Sequence, residues 1–242
     1  MGSDAKDFNN DGFVDLFYND LATQVFALFA GDRGKSFRYV SYPSGLGRLS
    51  NRFGGWGTGF IDYDNDGWKD LYSANGDVDY LGDNAKQSDT MFRNLDGKSF
   101  ADVSATMGDA FTRRGFHRGA AFSDLNDDGS LDIVVTGLNE RPRILLNAGT
   151  PGAHWLLLDL RGTRANRDAI GAKVRVTTAS GRVLYNHVSV STGLMSSSDR
   201  RVHFGLGAES AISSIEIRWP GGHVQTLSDV KADQILRVRE PE

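Results

Sequence analysis

Asp62-Tyr63-Asp64-Asn65-Asp66-Gly67-Trp68-Lys69-Asp70 places four carboxylates and one glycine within nine residues. Side chains at positions 1, 3 and 5 can turn their oxygens toward one point if the backbone wraps tightly, and the glycine at position 6 permits that turn. Position 7 can add its main-chain carbonyl, and the Asp at position 9 closes the shell. Left alone, carboxylates this crowded repel one another; a divalent cation reverses the sign of that interaction. Calcium, which takes six to eight oxygens in irregular geometry, suits such a set better than magnesium, which demands a near-ideal octahedron. A plain alternative is a polar turn between strands, a use to which Asp, Asn and Gly are equally suited.

The stretch is not alone. Asp7-Phe8-Asn9-Asn10-Asp11-Gly12-Phe13-Val14-Asp15 and Asp124-Leu125-Asn126-Asp127-Asp128-Gly129-Ser130-Leu131-Asp132 repeat it in register, with starts 55 and 62 residues apart. Three matching copies favour ion loops over coincidental turns. An EF-hand is excluded, because it needs a Glu at position 12 and flanking helices. Position 12 here is Tyr18, Ser73 or Val135.

Working outward, each loop feeds a short apolar run rich in β-formers: Leu16-Phe17-Tyr18, Leu71-Tyr72 and Ile133-Val134-Val135. Further strands are expected at Val25 to Phe29, Thr90 to Asn94 and Ile144 to Asn147, with others starting near Phe37 and Phe100. Small-residue strands, Gly54 to Ile61 and Gly115 to Ser123, precede the second and third loops. One period thus supplies about four strands, the content of a propeller blade.

After Gly149-Thr150-Pro151-Gly152 the pattern stops. Strands of another kind are expected at Trp155 to Leu160, Ala172 to Thr178, Val183 to Val190, Arg201 to Phe204, Ile215 to Trp219, His223 to Leu227 and Ile235 to Val238, at intervals suited to a sandwich or barrel. The expected fold is therefore all-β: a partial β-propeller-like repeat region over residues 1–150, with fewer than three complete blades, then a β-sandwich or barrel-like domain over 151–242. No long 3.6-residue apolar period predicts a substantial helix.

Composition narrows the function. The 27 Lys and Arg against 31 Asp and Glu give a net charge of −4, which offers no electrostatic case for nucleic acid. No apolar run approaches the roughly 20 residues that cross a bilayer, so no membrane insertion is expected. The absence of cysteine removes disulfides and thiolate metal sites, leaving oxygen ligands. Met1-Gly2-Ser3 reads as a cloning remnant, and the first residues lack the apolar core of an export signal.

Nothing reads as catalytic. His117, His154, His187, His203 and His223 have no metal-binding spacing and read as surface or turn residues. Ser196-Ser197-Ser198-Asp199 lacks a strained nucleophile elbow and reads as a solvated loop. Asp77, Asp79, Asp83 and Asp89 read as solvated surface, and Arg113 to Arg118 as a strand approach carrying surface arginines.

The three loops, their strands, and Asn94 and Asn147 resemble FG-GAP/VCBS repeats. Asn166-Arg167-Asp168-Ala169-Ile170-Gly171-Ala172-Lys173-Val174, His203-Phe204-Gly205-Leu206-Gly207 and Trp219-Pro220-Gly221-Gly222 resemble the ASPIC/UnbV domain that often follows such repeats. The resemblance implies side-chain calcium ligands at Asp7, Asn9, Asp11 and Asp15, at Asp62, Asp64, Asp66 and Asp70, and at Asp124, Asn126, Asp128 and Asp132. Phe13, Trp68 and Ser130 would add main-chain carbonyls, for about three ions in all. It further implies a secreted or cell-surface interaction or adhesion module, not an enzyme, whose partner is a protein or glycan. The alternative is an exported enzyme, or its subunit, with a site on propeller loops. Family propellers have more blades than this chain encodes, so another chain, an N-terminal region or the C-terminal domain is expected to cover the open edges.

Overall fold

Each acidic loop joins the first two strands of an antiparallel sheet, and its last aspartate opens the second strand. In the computed structural model, which describes residues 1–78 and 85–242, this happens three times. The first sheet is β1 (Ser3–Lys6), β2 (Asp15–Tyr18), β3 (Ala27–Asp32) and β4 (Ser36–Tyr39), paired in chain order. After a short helix, α1 (Leu46–Ser50), the second runs β5 (Gly55–Ile61), β6 (Asp70–Asn75), β7 (Thr90–Leu95) and β8 (Ser99–Asp102). The third holds β9 (His117–Ser123), β10 (Asp132–Gly137) and β11 (Arg143–Leu145). The expected strands of each period are present, and the third period stops one strand short of four.

Alternation along the strands puts apolar residues on both faces, so that the sheets stack. Phe17, Phe26 and Leu28 of the first sheet's side meet Phe60, Leu71, Phe92 and Phe100 of the second in one core. From the second sheet's opposite face, Tyr72 and Met91 meet Phe122, Ile133 and Val135 of the third. Within β6, Leu71 thus faces back to the first sheet and Tyr72 forward to the third.

Most of the remaining strands form two larger sheets. One is β17 (Val202–Gly207), β12 (His154–Arg161) and β20 (Gln234–Arg239), with β12 and β20 parallel. The other is β14 (Val183–His187), β13 (Lys173–Thr178), β18 (Ala211–Arg218) and β19 (Val224–Lys231). Leu156, Leu158, Val174, Val176, Ile215 and Trp219 fill the core between them. The arrangement is sandwich-like, and among the described residues no sheet closes into a barrel, so of the two expected forms the sandwich is the one realised.

A hairpin that the sequence reading missed, β15 (Ser191–Thr192) and β16 (Ser196–Ser197), lies against the first strands of the repeat sheets. Gly193 N donates to Ser3 O at 2.9 Å, Ala120 N to Ser196 Oγ at 3.2 Å, Phe122 N to Ser198 Oγ at 3.0 Å and Asp199 N to Phe122 O at 2.9 Å. The Ser196 to Asp199 stretch is therefore no free solvated loop: it bonds along the otherwise unpaired edge of β9. The N-terminal triplet packs into the fold. Gly2 is buried, its N–H donates to Asn19 Oδ1 at 2.8 Å, and an added Cβ would lie 2.0 Å from Trp56 O.

Candidate metal centre

The three loops share one hydrogen-bond scheme. The first aspartate accepts from the glycine N–H at position 6: Asp7 from Gly12 at 2.7 Å, Asp62 from Gly67 at 2.8 Å, Asp124 from Gly129 at 2.8 Å. Position 5 accepts from the N–H at position 7: Asp11 from Phe13, Asp66 from Trp68, Asp128 from Ser130, all at 2.8 to 2.9 Å. The closing aspartate bridges the loop and a later strand. Asp15 takes Phe8 N and Gly31 N, Asp70 takes Tyr63 N and Asn94 N, and Asp132 takes Leu125 N and Asn147 N. The fold depends on position 6 being glycine, with φ near +90° in every copy, and on Asn10, Asn65 and Asp127 adopting positive φ at position 4.

Neighbouring loops are tied side by side. Asn10 Nδ2 donates to Gly67 O at 3.0 Å, and Asn65 Nδ2 to Gly129 O at 3.2 Å. Asn94 Nδ2 reaches Phe8 O at 2.8 Å and Lys69 O at 2.9 Å, while Asn147 Nδ2 reaches Tyr63 O at 2.7 Å. Asn10 and Asn65 thereby reach forward to the next loop, while Asn94 and Asn147 reach back to the one before.

The second loop is the most enclosed. Asp62, Asp64, Asn65 and Asp70 are all buried, and carboxylate oxygens of Asp62, Asp64 and Asp70 lie within 4.8 Å of one another. Among the described residues, Asp62 Oδ1 is buried without a hydrogen-bond partner. An orphaned anionic oxygen beside two other carboxylates fits a hard cation. Burial, then the charges of Asp66 and Asp64, pushes the Asp62 carboxyl up to about 8; burial and Asp62 raise Asp70 well above the carboxylate range. Burial raises Asp15 to about 7 in the first loop and raises Asp124 in the third.

Of the other expected ligands, Asp7, Asp124, Asp132 and Ser130 are buried, whereas Asp11, Asn126 and Asp128 are exposed. Asn9 and Asn126 donate to Asp11 Oδ2 and Asp128 Oδ2 at 3.1 and 2.7 Å. Among the described residues, only the second loop brings three carboxylates within 4.8 Å of one another; the first and third do not, and each leaves its position-5 aspartate exposed.

Several participants escaped the sequence reading. Buried Lys69 donates to Tyr185 O at 2.7 Å, and the charges of Asp7, Asp62 and Asp15 partly offset the burial that lowers its pKa. Arg93 Nε sits 2.8 Å from Asp64 and its Nη2 3.1 Å from Asp66. Arg182 donates to Asp66 O at 2.7 Å and lies over the Trp68 ring. Most telling is the His203-Phe204-Gly205 segment. His203 is buried with Nε2 3.0 Å from Gly129 O, and Gly205 N donates to Asp62 Oδ2 at 3.1 Å. A Cβ on Gly205 would stand 2.2 Å from that oxygen, so only glycine admits the contact. Sequence alone gives no distance between residues so far apart.

Besides His203, two more residues expected at the surface are buried. His117 and Asp89 are each 1% exposed, paired Nδ1 to Oδ1 at 2.6 Å, with Arg143 Nη2 2.7 Å from Asp89 Oδ2. This cluster ties β9 to β11 and to the segment before β7, which a local reading of charged residues could not show. Asp79 and Asp83 lie outside the described residues.

Nearly all-β stacked sheets, each entered through an Asp-Gly loop and backed by a sandwich-like region, define a class of acidic-loop repeat proteins. The FG-GAP-like repeat model matches residues 7–73 and 62–135, and the ASPIC and UnbV model matches 162–242. The chain belongs to the FG-GAP-like repeat family and carries an ASPIC/UnbV region after the repeats. It is similar to cartilage acidic protein 1 of Mus musculus (25% identity over 98% of this chain), Xenopus tropicalis (28% over 92%) and Homo sapiens (26% over 97%). It spans 34 to 36% of the length of these relatives.

Proposed function

We propose that the chain is a calcium-stabilised, non-catalytic interaction module that works outside the cell, with a protein or glycan as its ligand. The observation that carries the calcium reading is the orphaned, buried Asp62 Oδ1 beside Asp64 and Asp70. Asp62, Asp64, Asp66 and Asp70 would hold the ion in the second loop, with a main-chain carbonyl from Trp68. The equivalent residues of the first and third loops would hold two more. Calcium here supplies charge neutralisation and strand entry, and three loops of one hydrogen-bond scheme support a common role. The extracellular and adhesive part rests on the repeat family and on relatives named for cartilage. The unit boundary near Pro151 and the completion of a propeller by sequence outside this chain belong to the same proposal.

Calorimetric titration of the chelated protein with calcium, with elemental analysis beside it, tests the reading. About three ions per chain and a melting temperature raised by calcium are expected. An ion that binds only the folded state adds about 2.7 kcal/mol at 100 times its dissociation constant. Fewer than two ions per chain, or melting unmoved by chelator, would overturn it.

A further inference from the structure

A cavity of about 350 Å³ opens between the first acidic loop, the β3–β4 hairpin and the outer face of the β14-β13-β18-β19 sheet. One wall is aromatic: Phe13 and Phe37 are 37% and 51% exposed, and Tyr185 lies against Gly12 of the loop. The other wall is cationic. Alternation along β13 sends Val174 and Val176 into the sandwich core and leaves Lys173 and Arg175 facing out, while Arg218 pairs in register with Lys173 across β18. Lys173 and Arg218 therefore stand about 5 Å apart at backbone level, and Arg175 about 7 Å further along the strand.

Among the described residues, none of these three cations has an ion pair or a side-chain hydrogen bond. Two carboxylates share the cleft, Asp7 and Glu216, the latter in register with Arg175, and against them the three cations leave the sheet face net positive, which favours an anionic ligand. The geometry points to a uronic-acid-bearing oligosaccharide as the occupant of this cleft. Guanidinium groups pair with carboxylates in two-pronged fashion, and exposed aromatic rings offer a surface to the C–H face of a sugar. Glu216 in the lining supplies an acceptor for sugar hydroxyls. A peptide strand fits less well: β13 and β18 are interior strands, and on the edge strand β14 Tyr185 N already bonds Asn10 while the Tyr185 and His187 carbonyls accept from Lys69 and Lys6. The cavity is of a size that small ligands occupy, roughly 300 to 1,000 Å³.

The assignment rests on the interaction-module reading above, though not on calcium occupancy, and the two are separable by experiment. The full chain is titrated calorimetrically, in constant millimolar calcium, with a glucuronic-acid trisaccharide, the glucose trisaccharide of the same linkage, and a sulfated form of the latter. Saturable binding of the glucuronic-acid sugar is expected, with no binding of the neutral one and weaker binding of the sulfated one. The double variant Arg175→Ala/Arg218→Ala is expected to bind at least about tenfold more weakly, which is about 1.4 kcal/mol, with an unchanged melting temperature. Phe37→Ser, at an exposed position, gives an independent loss. No saturable binding to wild type, tighter binding of the sulfated sugar, equal binding of the neutral sugar, or full binding by the double variant would each overturn the assignment. Binding that persists in a protein whose melting ignores chelator would support the cleft while overturning the calcium reading.

Discussion

The first and second acidic loops share a residue pattern and a hydrogen-bond scheme, yet one lies open and the other is sealed. In the first, Asp11 is exposed and Gly12 borders an open cleft. In the second, Asp62, Asp64 and Asp70 are buried between the asparagine ties of the flanking loops and the Gly205 backbone. The repeated motif thus sets the local conformation, and the neighbours decide what each oxygen costs. A desolvated, unpaired carboxylate is far more expensive than a hydrated one, so the sealed loop should depend most on its counter-ion.

The contrast between the two loops predicts effects of graded size. The largest effect is expected for Asp70→Ala, which removes a closing carboxylate and leaves Tyr63 N and Asn94 N without their acceptor. A loss of about 3 kcal/mol or more in calcium is expected. For a chain of this size that lowers the melting temperature by roughly 6 to 12 °C. A shift no larger than that of Asp11→Ala would erase the distinction between the loops.

Gly205→Ala comes next. Its methyl would enter the space of Asp62 Oδ2, and overpacking of this kind costs about 1 to 3 kcal/mol. Calorimetry should show the tightest calcium site weakened and the others kept. A variant of wild-type stability and stoichiometry would mean that the C-terminal region does not brace the second loop.

The pH response separates the loops from the rest of the molecule. Asp62 is raised to about 8 and Asp15 to about 7 from an unfolded value of 3.8, so the ion-free folded state holds protons that the unfolded state releases. Stability from such groups is lost as pH rises toward the folded values, by up to about 1.4 kcal/mol per pH unit for each extra proton. His203, held down to about 4, and His187, to about 3, act with opposite sign below the histidine range, and Lys6, lowered to about 8, acts above it. Between pH 6.5 and pH 7.5 (about the window that these values leave) the chelated protein should therefore melt lower at the higher pH. In millimolar calcium, protons compete with the ion, and the order should reverse. An unchanged order would count against ion binding at these carboxylates.

The smallest effect is expected for Asp11→Ala, about 1 kcal/mol in thermal melts, since water already reaches that side chain. Its calorimetric signature is the loss of a weak site with the tight site intact.

Much of this molecule was open to a reader of its sequence. The D-x-[DN]-x-D-G-x-x-D pattern carries its own geometry, because contacts two to eight residues apart are fixed by local backbone chemistry. Glycine at position 6 and the aspartate that opens each strand follow from it directly. Strand positions were equally legible, since Leu71-Tyr72 or Val174 to Val176 alternate between faces as any strand must. Those same rules gave no hint that β15 and β16 would pair, for Ser191 to Ser197 has no apolar alternation.

Which of the three like loops is sealed, and by what, follows from the stacking of the sheets. Gly205 lies 143 residues from Asp62, and Lys69 meets Tyr185 from 116 residues away. Such pairs have no shared local pattern; they arise when separately formed sheets stack. His117 and Asp89 show the same limit, read singly as polar surface and found together in the interior. Sequence fixed the chemistry available at each position because that chemistry is covalent. Burial, which sets the strength of every charge, is a property of the assembled layers and had to await them.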